Sequence, residues 1–272
     1  MEYTFTELCW LFLIYSFIGW VIEAAVGTIK NRRFTNRGFS TGPFCIVYGI
    51  AAVVMSVTLT ELIDSPVFLF LGCGIQATVI EWITGKTLER LNRRKWWDYS
   101  GKKLNFDGYI CLQYTLLWAV LGVLCLKYGN TFFLFLYNFI PQPVPAVISY
   151  ILIGYVALDA ALSLTAVLHL RKQPAKTGHP AGRLTLRLYH AASSLISHVE
   201  RRMTKAYPAF EERAEEILKE GRFAEGCGFY KLFWLFLTGA FLGDITETLF
   251  CRLTSGVWMS RSSLVWGPFS IV

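Results

Sequence analysis

Charge is scarce in this chain. Asp, Glu, Lys and Arg make up 17% of its 272 residues, against about a quarter in ordinary globular domains. Hydrophobic residues reach 54% and the mean hydropathy is +0.44. Such a composition excludes a solvated, single-core domain. Catalytic signatures are missing too. There is no G-x-x-x-x-G-K-[ST], so the chain does not itself hydrolyse ATP with a P-loop, and no H-E-x-x-H or G-x-S-x-G occurs. The four histidines all fall at or after position 169, and His190 and His198 stand two helical turns apart with no third partner. The seven cysteines are scattered, without a C-x-x-C pair, and read as small packing residues. No disulfide framework, metal site or cofactor is expected. The net charge of +7 comes without any RNA- or DNA-binding signature and reads as loop charge, not as a nucleic-acid surface.

The apolar residues come in blocks. Spans are predicted at 8–29, 44–63, 67–84, 109–126, 146–169 and 229–250. They run from about 18 to 24 residues, enough to cross a hydrocarbon core of about 30 Å. The first has no basic segment or cleavage site ahead of it and is read as a retained helix. The aromatic stretch 130–140 is read as interfacial. The expected fold is thus an all-α polytopic bundle of six spans lying in the lipid bilayer. Residues 1–169 form a first membrane unit, 170–228 an amphipathic linker, and 229–272 the start of a second unit. Bases crowd the loops after the first span (Lys30, Arg32, Arg33, Arg37), the third (Lys86 to Lys103) and the fifth (Arg171, Lys172), whereas the loop after the second holds Glu61 and Asp64. By the positive-inside rule the N-terminus lies outside and the linker is cytoplasmic.

The chain also repeats itself. "WLFLIYSFIGWVIEAAVGTIKNRRFTNRGF" lies over "WLFLTGAFLGDITETLFCRLTSGVWMSRSS", matching Trp10 with Trp234, Gly19 with Gly243, Glu23 with Glu247 and Arg37 with Arg261 at one offset. After a one-residue insertion, Gly42-Pro43-Phe44 matches Gly267-Pro268-Phe269. The chain stops where the second copy should enter its next span, which reads as a fragment or a degenerate second half. Five spans before the second copy would turn it over, giving the inverted-topology repeat common among secondary transporters.

A carboxylate deep in lipid costs at least about 2–3 kcal/mol on insertion scales, so Glu23, Glu81 and Glu247 need a cavity, a bundle interior or a base. Arg37, with Arg261 as its counterpart in the repeat, is the expected partner for one of them, and Asn36-Arg37-Gly38 reads as a tight polar turn. Two readings stay open: a polar half-site, or a buried Glu–Arg pair that only locks the bundle. The segment "RKWWDYSGKKLNFDGYICL" supplies aromatic-belt candidates in Trp96, Trp97 and Tyr99. It also supplies the polar groups of Asp98 and Asn105, which would belong to a loop folding back over a cavity mouth. Asp159 lies within the fifth span as a polar residue or proton site. The candidate polar pathway is therefore Glu23, Asn36, Arg37, Glu81, Asp98, Asn105, Glu247 and Arg261.

"YSFIGWVIE", "NRGFSTGPFCIVYG", "EWITGKTLERL", "WWDYS" and "NFDGYICL" together resemble the CmpB-like ABC-transporter type IV permease family of bacterial membrane proteins, over roughly 5–125 and weakly over 230–272. The family's Pro before the Ile-Tyr-Gly stretch is absent, Cys45-Ile46-Val47-Tyr48-Gly49 standing there. That puts a helix break near 46 in doubt. The resemblance implies a permease in the bacterial cell membrane with a separate ATP-binding subunit. A homo-oligomer is compatible with the sequence. The alternatives to transport are a membrane enzyme acting on a lipid-linked substrate through Glu81, Asp98 and Asn105, or a non-catalytic membrane scaffold.

Overall fold

A computed structural model describes residues 3–36, 38–92, 95–171 and 229–255. Among them, four helices are long and apolar enough to cross a membrane: Phe5–Asn31, Pro66–Leu91, Leu112–Phe139 and Val144–Thr165. The first, α1 (Phe5–Asn31), opens on a capping box. The Glu7 amide donates to Thr4 Oγ1 at 3.4 Å, and the Thr4 amide donates to the Glu7 carboxylate at 2.8 Å. Its 27 residues rise about 40 Å, more than a bilayer core.

The expected second span is shorter than its hydropathy suggests. Helix α2 (Ile46–Thr58) has 13 residues, about 20 Å of rise, which is too little to cross. It starts against the middle of α1, where the Cys45 amide donates to the Ser16 carbonyl at 2.8 Å. The chain leaves α1 at Arg32, in the left-handed region with φ 52°. Residues 33–36 and 38–45 then bring the chain back to half the depth of α1, where Cys45 meets Ser16. The span predicted at 44–63 is therefore a half-helix followed by a short 3-10 turn at Thr60–Leu62, and the polar loop ahead of it is re-entrant, tied to α1 and α6.

The stretch 130–140 is not interfacial. It continues α4 (Leu112–Leu124) through a π-turn at Cys125–Gly129 into α5 (Asn130–Phe139), one span in all. Asn130, at the start of α5, is only 2% exposed. It accepts from the Tyr15 hydroxyl at 2.9 Å and donates to Ser56 Oγ at 2.8 Å and to the Tyr3 hydroxyl at 3.2 Å. In the π-turn the Cys125 carbonyl accepts from the Asn130 amide and also from the Tyr15 hydroxyl, at 3.2 Å. The network ties α1, α2 and α5 together at the end of the bundle away from the basic loops.

Helix α3 (Pro66–Asn92) packs antiparallel against α4. Between them the chain makes a small hairpin, β1 (Asn105–Phe106) with β2 (Ile110–Cys111), turned by Asp107 and Gly108 at φ 53° and 73°. The basic stretch is thus a folded cap on the α3–α4 end. Trp96 is buried in it, and the Trp97 indole donates to the Tyr109 carbonyl at 2.8 Å. Helix α6 (Val144–Arg171) covers α1 through Val156, Leu13 and Phe44. Helix α7 (Phe229–Ser255) meets the cap through Trp234, which clusters with Phe106, Tyr109 and Ile110. The linker beyond residue 171 lies outside the described residues.

Candidate functional site

Two of the predicted carboxylates come together near the basic end of the bundle. Glu23 lies two turns before the end of α1, half-buried, and accepts from the Tyr48 hydroxyl at 3.0 Å. Tyr48 sits on the first turn of α2, so the re-entrant loop is what carries its phenol to this depth. Its ring meets Trp118 of α4 edge-on, with centroids 5.6 Å apart at 82°. The Trp118 indole in turn reaches the Glu81 carboxylate, and each glutamate lies within the electrostatic reach of the other.

Glu81 stands on the α3 face against α4. Its Oε1 accepts from the Tyr99 hydroxyl of the cap at 3.3 Å, while its Oε2 is enclosed and has no hydrogen-bond partner. Tyr99 stacks on Tyr114 with centroids 4.6 Å apart at 25°. Burial, and then the Glu81 carboxylate, hold the Tyr99 phenol well above its ordinary pKa. It stays a neutral hydrogen-bond donor across the physiological range. One turn farther in, the Thr78 and Thr115 hydroxyls bond at 2.9 Å and close the α3–α4 seam.

Neither glutamate has a basic partner among the described residues. The ion pair on this side joins Lys86 to Asp107 at 3.4 Å, within the cap. Two carboxylates sharing one region of a membrane protein repel, and their charge has to be met by a proton or another cation.

A latch holds the re-entrant loop. Asn36 accepts from the Trp20 indole at 3.1 Å and from the Gly38 amide at 2.9 Å, and donates to the Thr41 carbonyl at 3.0 Å. Asp159 of α6, 9% exposed, accepts from the Thr41 and Gly42 amides at 3.2 and 2.8 Å. Amides that would be orphaned inside the bundle are thus satisfied by one side chain from a neighbouring helix.

The remaining candidates are placed elsewhere. Asp98 takes the Ser100 amide at 2.9 Å, and Asn105 donates to the Ser100 and Lys102 carbonyls at 3.1 and 2.8 Å, so both shape the turns of the cap. Glu247 is exposed on α7, beside Thr246, Phe250 and Cys251. Arg37 and Arg261 lie outside the described residues. Tyr48, Tyr114 and Trp118 were not singled out from the sequence as site residues. Trp118 did carry a signal, being an indole well inside an apolar span instead of at the lipid interface.

No curated protein and no solved structure matches the chain. A family model described as "Putative ABC-transporter type IV" matches residues 10–164. That is more than half of the chain and takes in Glu23, Tyr48, Glu81, Trp118 and Asp159, so the chain belongs to this family of multi-pass membrane proteins.

Proposed function

We propose that the chain is the membrane-embedded permease subunit of a transporter whose path passes Glu23 and Glu81, energised by a separate ATP-binding subunit. The observation that carries this reading is the carboxylate pair. Two acids in a bundle with no base beside them among the described residues are costly to keep, and ionisable groups inside a membrane are by default candidates for a solute or ion path. Asn36, Arg37 and the re-entrant loop would form one wall of the path. Asp98 and Asn105 would shape its cytoplasmic roof.

The same reading makes 1–169 and 229–272 two halves of an inverted repeat, six spans in all, with the N-terminus outside and the basic loops cytoplasmic. Support comes from the matched tryptophans. Trp10 donates to the Phe133 carbonyl, near the end of the bundle away from the cap, at 3.0 Å. Its counterpart Trp234 packs against the cap at the other end. Glu247 and Arg261 would then be the outward-facing counterparts of Glu23 and Arg37.

Gentle detergent purification of the full chain, with mass spectrometry of co-purifying proteins and an ATPase assay, tests the energy source. A stoichiometric nucleotide-binding subunit is expected, with an ATPase that falls at least several-fold in Glu23→Gln. A lone protein, or an ATPase indifferent to both Glu23→Gln and Glu81→Gln, overturns the reading.

A further inference from the structure

The turn that follows α1 is fixed from within and leaves its charges outside. Thr35 is buried. Its amide donates to Thr28 Oγ1 at 3.4 Å, its hydroxyl donates to the Arg33 carbonyl at 3.1 Å, and the Asn31 side-chain amide donates to that hydroxyl at 3.3 Å. The turn so held presents Lys30, Arg32, Arg33 and Phe34 outward, all four exposed. Among the described residues none of the three bases has an acidic partner, the ion pair at this end joining Lys86 to Asp107 in the cap. Phe34 is 69% exposed, and Ile29, just before the bases, is 79% exposed.

This arrangement fits the boundary between acyl chains and headgroups. Phe17, Val21, Ala25 and Ile29, spaced four apart, make an exposed apolar row along α1. The row runs straight into the basic turn. A mostly exposed Phe is unfavourable in water and favourable at the membrane interface. Bases at the same level reach lipid phosphates, and each adds to the attraction of an anionic leaflet. Arginine is the base whose planar fork meets two phosphate oxygens at once. A soluble anion, or an acidic protein surface, would use the bases and leave Ile29 and Phe34 in water. The cap is a contrast. Lys102 and Lys103 are exposed there, yet no large apolar side chain is exposed among residues 95–111.

We propose that Lys30, Arg32, Arg33 and Phe34, together with Ile29, bind the headgroup of an anionic phospholipid at the end of α1. The site does not depend on what is transported or on the energy source. The test titrates the purified full chain, in a neutral detergent, with micellar phosphatidylglycerol, with micellar phosphatidylcholine or with sodium phosphate, and follows thermal unfolding. A saturable rise in melting temperature with phosphatidylglycerol, and with neither of the others, is expected. Arg32→Gln with Arg33→Gln should raise the half-saturating lipid concentration at least about tenfold. Arg32→Lys with Arg33→Lys keeps the charge but loses the forks and should raise it several-fold. Phe34→Ser should also raise it several-fold. Lys102→Gln with Lys103→Gln removes the same charge from the cap and should leave it within about twofold. All these side chains are exposed, and the melting temperature without lipid checks that each variant is folded. Absence of a saturable response, an equal response to phosphatidylcholine, or a rise reproduced by phosphate alone overturns the proposal. So does an affinity untouched by the arginine substitutions, or weakened as much by the cap pair as by the glutamine pair at 32 and 33.

Discussion

Helix α2 can start beside the middle of α1 only because single residues let the two backbones meet. A Cβ on Gly49 would lie 2.6 Å from the Phe12 carbonyl oxygen and closer still to Ser16 Oγ. Gly49→Ala must therefore push α2 outward, at about 1–3 kcal/mol by the usual cost of overpacking. In detergent this should lower the apparent melting temperature measured by fluorescence-detected size exclusion. Ser16 Oγ is fully buried and has no hydrogen-bond partner, so Ser16→Ala should be neutral or slightly stabilising. Combined with Gly49→Ala, Ser16→Gly should recover part of the loss. A Gly49→Ala protein that melts like the parent would mean the helices are not in this contact. At this scale the sequence reveals the acids more readily than their surroundings. Glu23 and Glu81 stand out because a charge in an apolar run demands explanation. Tyr48 and Trp118 look like any membrane aromatic until tertiary folding brings them together from α2 and α4. The matched repeat drew attention to Glu247 as well, yet among the described residues it is on an exposed helix face, because sequence symmetry does not fix which face a neighbour covers.

At the scale of elements, the re-entrant loop is the feature on which the site depends, and Asp159 is its tie to α6. Asp159→Ala would orphan the Thr41 and Gly42 amides in a poorly hydrated place, at about 1–3 kcal/mol for a buried donor left unsatisfied. The loop should then open more often. The reporter is Ser40→Cys in a background without other cysteines. Ser40 is 1% exposed, so the introduced thiol should react slowly with a small maleimide in the parent and about tenfold or more faster with Asp159→Ala. Asp159→Asn, which can still accept one bond, should fall between. Equal rates in all three would show that the loop is held by something other than this carboxylate. Hydropathy located the apolar blocks here but not their geometry. A window average scores the half-helix α2 and the short turn after it as it scores a full span. It also ends the fourth span at 126, although the helix continues through Cys125–Gly129 to Phe139. Asp159 was visible as an anomaly, but its role needed the opposing amides to be seen.

For the molecule as a whole, the distribution of charge and the direction of α7 lead to one experiment. Lys30, Arg32, Arg33, Lys86, Arg90, Lys95, Lys102 and Lys103 all belong to the end where the first loop and the cap meet, Phe39 lying 6.0 Å from Trp96. The turn between α2 and α3 at the other end carries Glu61 and Asp64. On the proposed topology, which applies the positive-inside rule, the first end is the cytoplasmic one. Helix α1 ends there, whereas α7 has Trp234, near its start, packed against the cap. Its 27 residues are long enough, at about 40 Å, to carry Ser255 to the opposite face. In a cysteine-free background, Asn31→Cys and Ser255→Cys should therefore label from opposite sides. An impermeant maleimide added to intact cells should modify position 255, and position 31 only after permeabilisation. The duplicated sequence alone cannot decide this, since a parallel repeat would produce the same residue matches. The deciding quantity is the number of crossings between the copies. That number depends on whether α2 and its loop count as one crossing together, entering and leaving like a full span. They do so if the loop returns to mid-depth from the cytoplasmic end and α2 exits at the other. The Cys45–Ser16 bond and the packing of Ala52 with Leu11 and Tyr15 describe that path. Labelling of both positions from one side would break the inverted repeat, and Glu247 would lose its claim to be the outward partner of Glu23.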